Sequence, residues 1–386
     1  MDYAVTRLAP EPLLERKRAA RGAIDLPFAA LTLLLLAIGV VMVLSASYAR
    51  AYYSASTGHN AAYYFLRQLG FAAAGTVCMF VLSRFPMSFY RRMSFPIMAG
   101  SLVLLALVPV IGVAEGDAKR WIDLGFTTFQ PSEITKAAVI LYFSALICKY
   151  KAAMRTFRYG ILPFAGILAL IIGLLVLEPH FSAAIIIIAI GGVMLFLGGA
   201  RLYWFVGVGV IAVAALGVVM MFFPYASGRI TTWLDPFANT SGDGYQIVQS
   251  LYSIGSGGLF GLGLGQGRQT YLYLPEEHND FIFAVVCEEL GFAGACAILL
   301  LFAALIVRGY WLAMHMRDRY SFLVTAGVTT LLAIQVILNV AVVTNLVPCT
   351  GISLPFFSYG GTALMIQLAE MGIILSASRD IAPTRR

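Results

Sequence analysis

The chain has 386 residues, 60% of them apolar and only 12% charged, and a mean hydropathy of +0.86. A soluble domain is about 45–50% apolar and roughly 25% charged, so this chain lacks the charge to coat a water-exposed surface. It also has far too much apolar side chain to remain disordered in water. The expected fold class is an all-α polytopic membrane protein. The five cysteines, Cys78, Cys148, Cys287, Cys296 and Cys349, form no CxxC pair, and the first four sit in apolar runs. They read as small core residues, not as a disulfide framework or zinc site. The net charge of +7 comes in short basic clusters between apolar runs. That pattern orients a chain in a membrane and does not mark a nucleic-acid partner.

In chain order, residues 1–27 form a basic tail with Arg7, Arg16, Lys17, Arg18 and Arg21. An apolar run follows with no convincing cleavage site before it, which predicts an uncleaved first span. Runs long enough to cross about 30 Å of hydrocarbon lie near 28–48, 64–83, 95–113, 130–148, 160–177, 182–200, 202–223, 280–307, 321–346 and 356–376. Together they predict ten spans across a membrane domain of 28–376, with a tail at 377–386. An even number of spans puts both termini on one side. Placing them in the cytoplasm puts Arg84, Arg91, Arg92, Lys149, Lys151, Arg155, Arg158, Arg201, Arg308, Arg317 and Arg319 inside with both tails, as the positive-inside rule requires. The acidic residues Glu115, Asp117, Asp123, Glu178, Asp235, Asp243, Glu276, Glu277 and Asp280 then fall outside, with a long loop at 224–279. A loop of that length is usually functional, so the chemistry is expected on the outer face of a multi-pass membrane protein.

Four segments could carry that chemistry. In Tyr271–Phe283 a loop with Glu276, Glu277, His278 and Asp280 runs straight into an apolar helix. Asp280 there is either an N-cap or a general base at the membrane boundary, and the two readings are compatible. Glu288 and Glu289 follow inside the membrane, where carboxylates are costly and are read as functional, protonated or bonded to neighbouring helices. In the second segment Arg120 and Trp121 stand before Gln130, Pro131, Ser132, Glu133 and Lys136. Pro131 suits a first helical turn. Glu133 and Lys136, three apart, share a helical face and can pair. The third segment is the Glu178-Pro179-His180 hairpin, and the fourth is the Pro355–Thr362 break before the last span. Such a break either packs closely or offers free N–H groups to a ligand. The glycine-rich stretch 255–267 matches no nucleotide fingerprint, so energy has to come from the substrate or from a gradient.

The blocks Arg120–Gly125, Gln130–Lys136, Gly244–Ser250, Ile254–Gly258, Tyr273–Phe283, Glu288–Gly291 and Leu354–Gly361, in this order, resemble the SEDS family (shape, elongation, division and sporulation). The Tyr273-Leu-Pro-Glu form and Thr231–Pro236 are similar to its FtsW/SpoVE branch more than to RodA. The resemblance implies ten helices, cytoplasmic termini and a large extracytoplasmic loop between spans seven and eight. It implies a peptidoglycan glycosyltransferase that polymerises lipid II and releases undecaprenyl diphosphate. Its implied partners are a class B penicillin-binding protein and other divisome or elongasome membrane proteins.

The family's essential carboxylate maps onto Asp280 and its membrane ion pair onto Glu133 and Lys136. Arg120, Lys136, Arg229 and Arg268 are the cations available for pyrophosphate, with a divalent ion (Mg or Mn) as a possible helper and no other cofactor implied. Trp121, Gln130, Ser132, Tyr245, Gln249, Ser250, Glu276, His278, Ser358 and Tyr359 complete the expected substrate-binding set. This chain departs from the family in carrying Asn279 where threonine is common and His180 where aspartate is common; Glu178 is the carboxylate nearest that position. A lipid II flippase is the alternative activity, and a non-catalytic scaffold a third.

Overall fold

The computed structural model describes residues 22–381 apart from 116–117, 126, 202, 205–206, 208–229, 241, 243 and 272. Helix α1 (Leu26–Tyr53) starts where the Asp25 carboxylate caps the Phe28 N–H at 2.9 Å. It is followed by α2 (Tyr63–Leu82) and α3 (Met87–Ile111). A small antiparallel sheet, β1 (Val113–Glu115), β2 (Ala118–Asp123) and β3 (Thr128–Phe129), then crosses one end of the bundle. Pro131 opens α4 (Pro131–Tyr150) at the position where its missing N–H costs nothing. The helices α5 (Leu162–Leu177), α6 (Phe181–Leu197), α7 (Tyr245–Ser256), α8 (Ile282–Met314), α9 (Arg319–Val343) and α10 (Gly361–Ser378) complete the bundle.

Among the described residues eight helices are long and apolar enough to cross a membrane, and α6 is a shorter apolar helix. The chain is a helical membrane protein. The described helices match nine of the ten expected spans, and the remaining one, 202–223, lies almost wholly outside the described residues, as does Arg229. Small residues let helices meet closely. A Cβ at Gly372 of α10 would stand 2.5 Å from the Met79 carbonyl of α2, and one at Gly75 of α2 2.6 Å from Leu368. At one end of the bundle the two described chain ends meet. The Gly22 N–H donates to Arg379 O at 2.9 Å, and Arg308 of α8 holds Asp25 with Nε and Nη2.

The stretch expected as one open outer loop, 224–279, is partly folded into the bundle. It contains α7, after which residues 257–269 run against α8. Leu262 and Gly263 donate their N–H groups to the carbonyls of Glu288 and Glu289 at 2.9 and 3.0 Å, and Phe292 and Ala293 donate back to Gly258 and Leu259 at 2.9 and 3.0 Å. The helix makes room for this exchange at Gly291, with φ 67° and ψ −171°.

Glu288 and Glu289 complete the clasp. Glu288 accepts from the Arg268 and Gln269 N–H groups at 2.7 and 3.1 Å and from the Ser253 hydroxyl at 3.1 Å. Glu289 accepts from Ser45 of α1 at 2.7 Å. Ser45 stands eight residues before the end of α1, about 12 Å along the axis, so the segment reaches membrane depth. Of the readings open for these carboxylates, bonding to neighbouring elements is the one the structure shows: they take the backbone N–H groups of the re-entrant segment and hydroxyls of α1 and α7.

Gly291 admits no side chain, because a Cβ there would stand 2.2 Å from the Gly261 nitrogen. Gly291→Ala should lose on the order of 3 kcal/mol of stability, read as a lower melting temperature in detergent micelles. Gly173→Ala in α5, where a Cβ meets nothing within 4 Å, should melt at or slightly above the wild-type temperature.

Candidate active site

Opposite the end where the described chain ends meet, a cavity of about 800 Å³ opens between the ends of α1, α2, α4, α6 and α9, the sheet, and the segments 276–280 and 351–364. Ten of the expected site residues line it: Arg120, Trp121, Gln130, Glu133, Lys136, Glu276, His278, Asp280, Ser358 and Tyr359.

The loop that carries Asp280 is fixed from three sides. Asn339 of α9 donates its amide to the carbonyls of both Asp280 (2.8 Å) and Ile352 (2.7 Å), binding this loop to the broken entry of α10. Ser358 donates to Asn279 O at 2.8 Å, and the Tyr359 N–H to His278 O at 2.8 Å. The His278 ring packs against Tyr64, with centroids 4.8 Å apart and the planes inclined by 41°. Arg50 at the end of α1 clamps Glu277 through two bonds of 2.7 and 2.8 Å.

Glu277 is fully buried. Burial alone would raise its pKa, but the His278 ring and the two-pronged Arg50 contact hold it below the usual carboxylate range. The His278 Nδ1 stands 3.9 Å away, too far for a hydrogen bond, so Arg50 is the stronger partner. Helix α8 begins at Ile282 with no side-chain cap, so Asp280 is not an N-cap. Its half-buried carboxylate turns into the cavity beside Gly351, where φ is +67° and a Cβ would stand 3.1 Å from Oδ2.

Facing that loop, Lys136 and Glu133 pair at 2.8 Å and are 3% and 8% exposed. Their charges cancel where water is scarce, as the sequence spacing predicts. Arg120 reaches over the α5–α6 hairpin and donates to Pro179 O at 2.6 Å. Gln130 stands 3.3 Å from His180.

Other expected residues sit elsewhere. Ser132 is buried in the first turn of α4 without lining the cavity. Tyr245, Gln249 and Ser250 lie on α7, and the Ser250 hydroxyl donates to Val343 O at 2.8 Å, a packing bond. Arg268 contributes its backbone N–H to Glu288, and its exposed side chain is not part of the cavity wall. The lining residues that were missed include Arg50, Tyr63, Tyr64 and Arg67. Arg50 and Arg67 stand at the cavity-side ends of apolar runs, a signal that an ordinary interface anchor also gives. Among the described residues no group of three or more His, Cys, Asp or Glu side chains converges. A divalent ion would therefore draw most of its ligands from substrate oxygens and water.

The family model described as "Cell cycle protein" (FTSW_RODA_SPOVE) matches residues 26–382. The chain belongs to this family. It is 39% identical over 357 residues to stage V sporulation protein E of Bacillus subtilis, a match covering 92% of this chain and 97% of that one. It is 40% identical over 363 residues to the probable peptidoglycan glycosyltransferase FtsW of Trichlorobacter lovleyi, covering 93% and 94%. A solved structure described as "Structural coordination of polymerization and crosslinking by a peptidoglycan synthase complex" superposes with a TM-score of 0.77 at 29% identity, covering 93% of this chain and 98% of that one. The rod shape determining protein RodA of Thermus thermophilus gives 0.68 at 27% identity, covering 94% and 99%. The resemblance carried by the motifs is borne out.

Within this family fold the Arg50–Glu277 pair is a bolt. Arg50→Ala should cost about 3–5 kcal/mol by stranding a buried carboxylate, seen as a lower melting temperature at pH 7. Because the native pKa of Glu277 lies below its ordinary 4.5, the pair's contribution is present above that pH and lost as pH falls beneath it. Wild type and variant should therefore converge in stability under acid.

Proposed function

We propose that this chain is a peptidoglycan glycosyltransferase that polymerises lipid II by inverting transfer, with Asp280 as general base. The observation that carries the reading is Asp280 itself. Its carboxylate enters a cavity that also holds Arg120, Lys136 and Arg67, at one end of a membrane bundle. A lipid-linked sugar pyrophosphate needs cations for its phosphates, a base for the acceptor hydroxyl and an open path into the bilayer.

In the proposed step the 4-hydroxyl oxygen of the acceptor GlcNAc attacks C1 of the donor sugar. A new C–O bond forms as the bond from C1 to the pyrophosphate oxygen breaks, and Asp280 takes the hydroxyl proton. The departing undecaprenyl diphosphate carries the bonding pair, which Arg120 and Lys136 stabilise. Pyrophosphate is already an activated leaving group, so no nucleotide is consumed. General-base action contributes roughly 10²–10⁴ in rate, and the clamps on the 276–280 loop supply orientation.

The cavity end, with its carboxylates, faces outward in this reading. The end where Asp25 meets Arg308 faces the cytoplasm with both termini, in keeping with the basic loops. The structural relative described as coordinating polymerization with crosslinking supports pairing with a class B penicillin-binding protein in the plasma membrane, within a divisome or elongasome. The flippase alternative needs a polar path through both leaflets. The polar wealth here lies at one end, and the other end is tied by Asp25 and Arg308.

Asp280→Asn preserves size and loses the base. With lipid II and the partner transpeptidase supplied, the variant should make at least about 10²-fold less glycan while still binding lipid II. Polymerisation at the wild-type rate would remove Asp280 from the mechanism.

A further inference from the structure

The hairpin between α5 and α6 holds a carboxyl group that the proposed reaction leaves unused. Glu178 is 1% exposed, and neither of its side-chain oxygens has a hydrogen-bond partner. It does not line the cavity, although His180 and Arg120 beside it do. Arg120 is anchored one residue away, on the Pro179 carbonyl at 2.6 Å. An ionised carboxylate stripped of both water and donors is very costly, whereas the neutral acid loses far less. Glu178 therefore keeps its proton. Burial pushes its pKa up to about 8, with Arg120 pulling the other way.

His180 is held uncharged too, its pKa lowered to about 3 by burial, Arg120 and Lys136. Among the described residues, Arg120 of β2 is the charged group acting on Glu178. On α4, Lys136 pairs with Glu133. Neither titratable group of the hairpin thus opposes Arg120 at neutral pH.

We propose that Glu178 is a positioning residue whose neutral form leaves the Arg120 charge to the substrate pyrophosphate and whose ionised form draws that charge back into the hairpin. This rests on the reading of the cavity as a lipid pyrophosphate site. On losing its proton to solvent, Glu178 becomes a buried anion whose charged neighbour among the described residues is Arg120, and a buried charge is tolerated only when paired. The guanidinium already bonded to Pro179 O is placed to pair with it. The departure at position 180 makes the device sharper: a neutral histidine adds no competing negative charge beside Arg120.

The test is equilibrium binding of lipid II to the full chain in nanodiscs, carrying Asp280→Asn to prevent turnover, between pH 7 and 9.5. The dissociation constant should rise about tenfold across that range, the scale of one charge-assisted contact. Adding Glu178→Gln, which stays neutral, should make binding independent of pH. Arg120→Gln should weaken binding at pH 7 and also abolish the dependence, which keeps the test decisive if the Glu178 variant does not fold. A flat profile in the parent protein overturns the proposal, as does an unchanged slope in either variant. Polymer formation with Asp280 intact is read separately. If the pH-dependent binding appears without polymer, the transferase reading fails and the Glu178 device stands; if polymer forms and binding is flat, the transferase stands and the device fails.

Discussion

Hydrocarbon offers no hydrogen bonds, so any chain that enters the bilayer out of helical form has to find every donor and acceptor a partner inside the protein. Residues 257–269 meet that demand with α8. The helix gives up its regularity at Gly291, and the carbonyls of Glu288 and Glu289 turn to the Leu262 and Gly263 N–H groups. A carboxylate is an acceptor with about four lone-pair sites. Two adjacent carboxylates can therefore gather backbone N–H groups and hydroxyls from α1, α7 and the re-entrant segment together. Downstream order follows from this. The Thr270 hydroxyl donates to Gly267 O at 2.8 Å and the Leu274 N–H to Gln269 O at 3.0 Å, so the strip that leads to Asp280 starts from a fixed point.

The charged groups of the cavity end divide by what they are tied to. Arg50 is spent on Glu277 and holds the loop in place, while Lys136 is paired with Glu133. Asn339 performs the most economical step, because one amide binds the carbonyl of Asp280 and the carbonyl of Ile352 and so sets the reactive loop against the entry of α10. The carboxylate proposed as the base needs such support, since its value depends on sub-ångström placement. Gly351 supplies the complementary feature, a space beside Oδ2 that any Cβ would crowd.

Much of this was legible beforehand, for reasons that differ by residue. The spans were readable because about 20 apolar residues in a row have few other uses. The Glu133–Lys136 pair was readable because three-residue spacing fixes a helical face. The particular partners of Glu288, Glu289, Ser250 and Arg268 were not. A polar side chain inside an apolar run looks the same whether it meets a substrate or a neighbouring backbone, and only the three-dimensional path of 257–269 distinguishes the two. The motif at 244–250 forms an element that packs on α8 and α9, and its residues lie outside the wall of the cavity. Arg50 was passed over for the converse reason, since a basic residue at the end of a span resembles an ordinary interface anchor until its carboxylate partner, distant in sequence, is seen.

The contrast between the two ends of the bundle bears on what kind of machine this is. At one end Asp25 caps α1 and simultaneously takes Arg308 from α8, while Gly22 bonds to Arg379 beyond α10. The start of α1 is thereby fastened to the far end of α8 and to the close of α10. Alternating access would require those helices to part at that end in one half of every cycle. At the other end, Arg50 and Asn339 fasten α1 and α9 to the loop of Asp280, and yet about 800 Å³ stays open between them. A rigid frame around a polar space at one membrane face suits chemistry on a substrate that already lies in that leaflet. In the proposed reaction the driving force resides in the substrate's own pyrophosphate, and the protein has only to hold two lipid-borne sugars and a base in register.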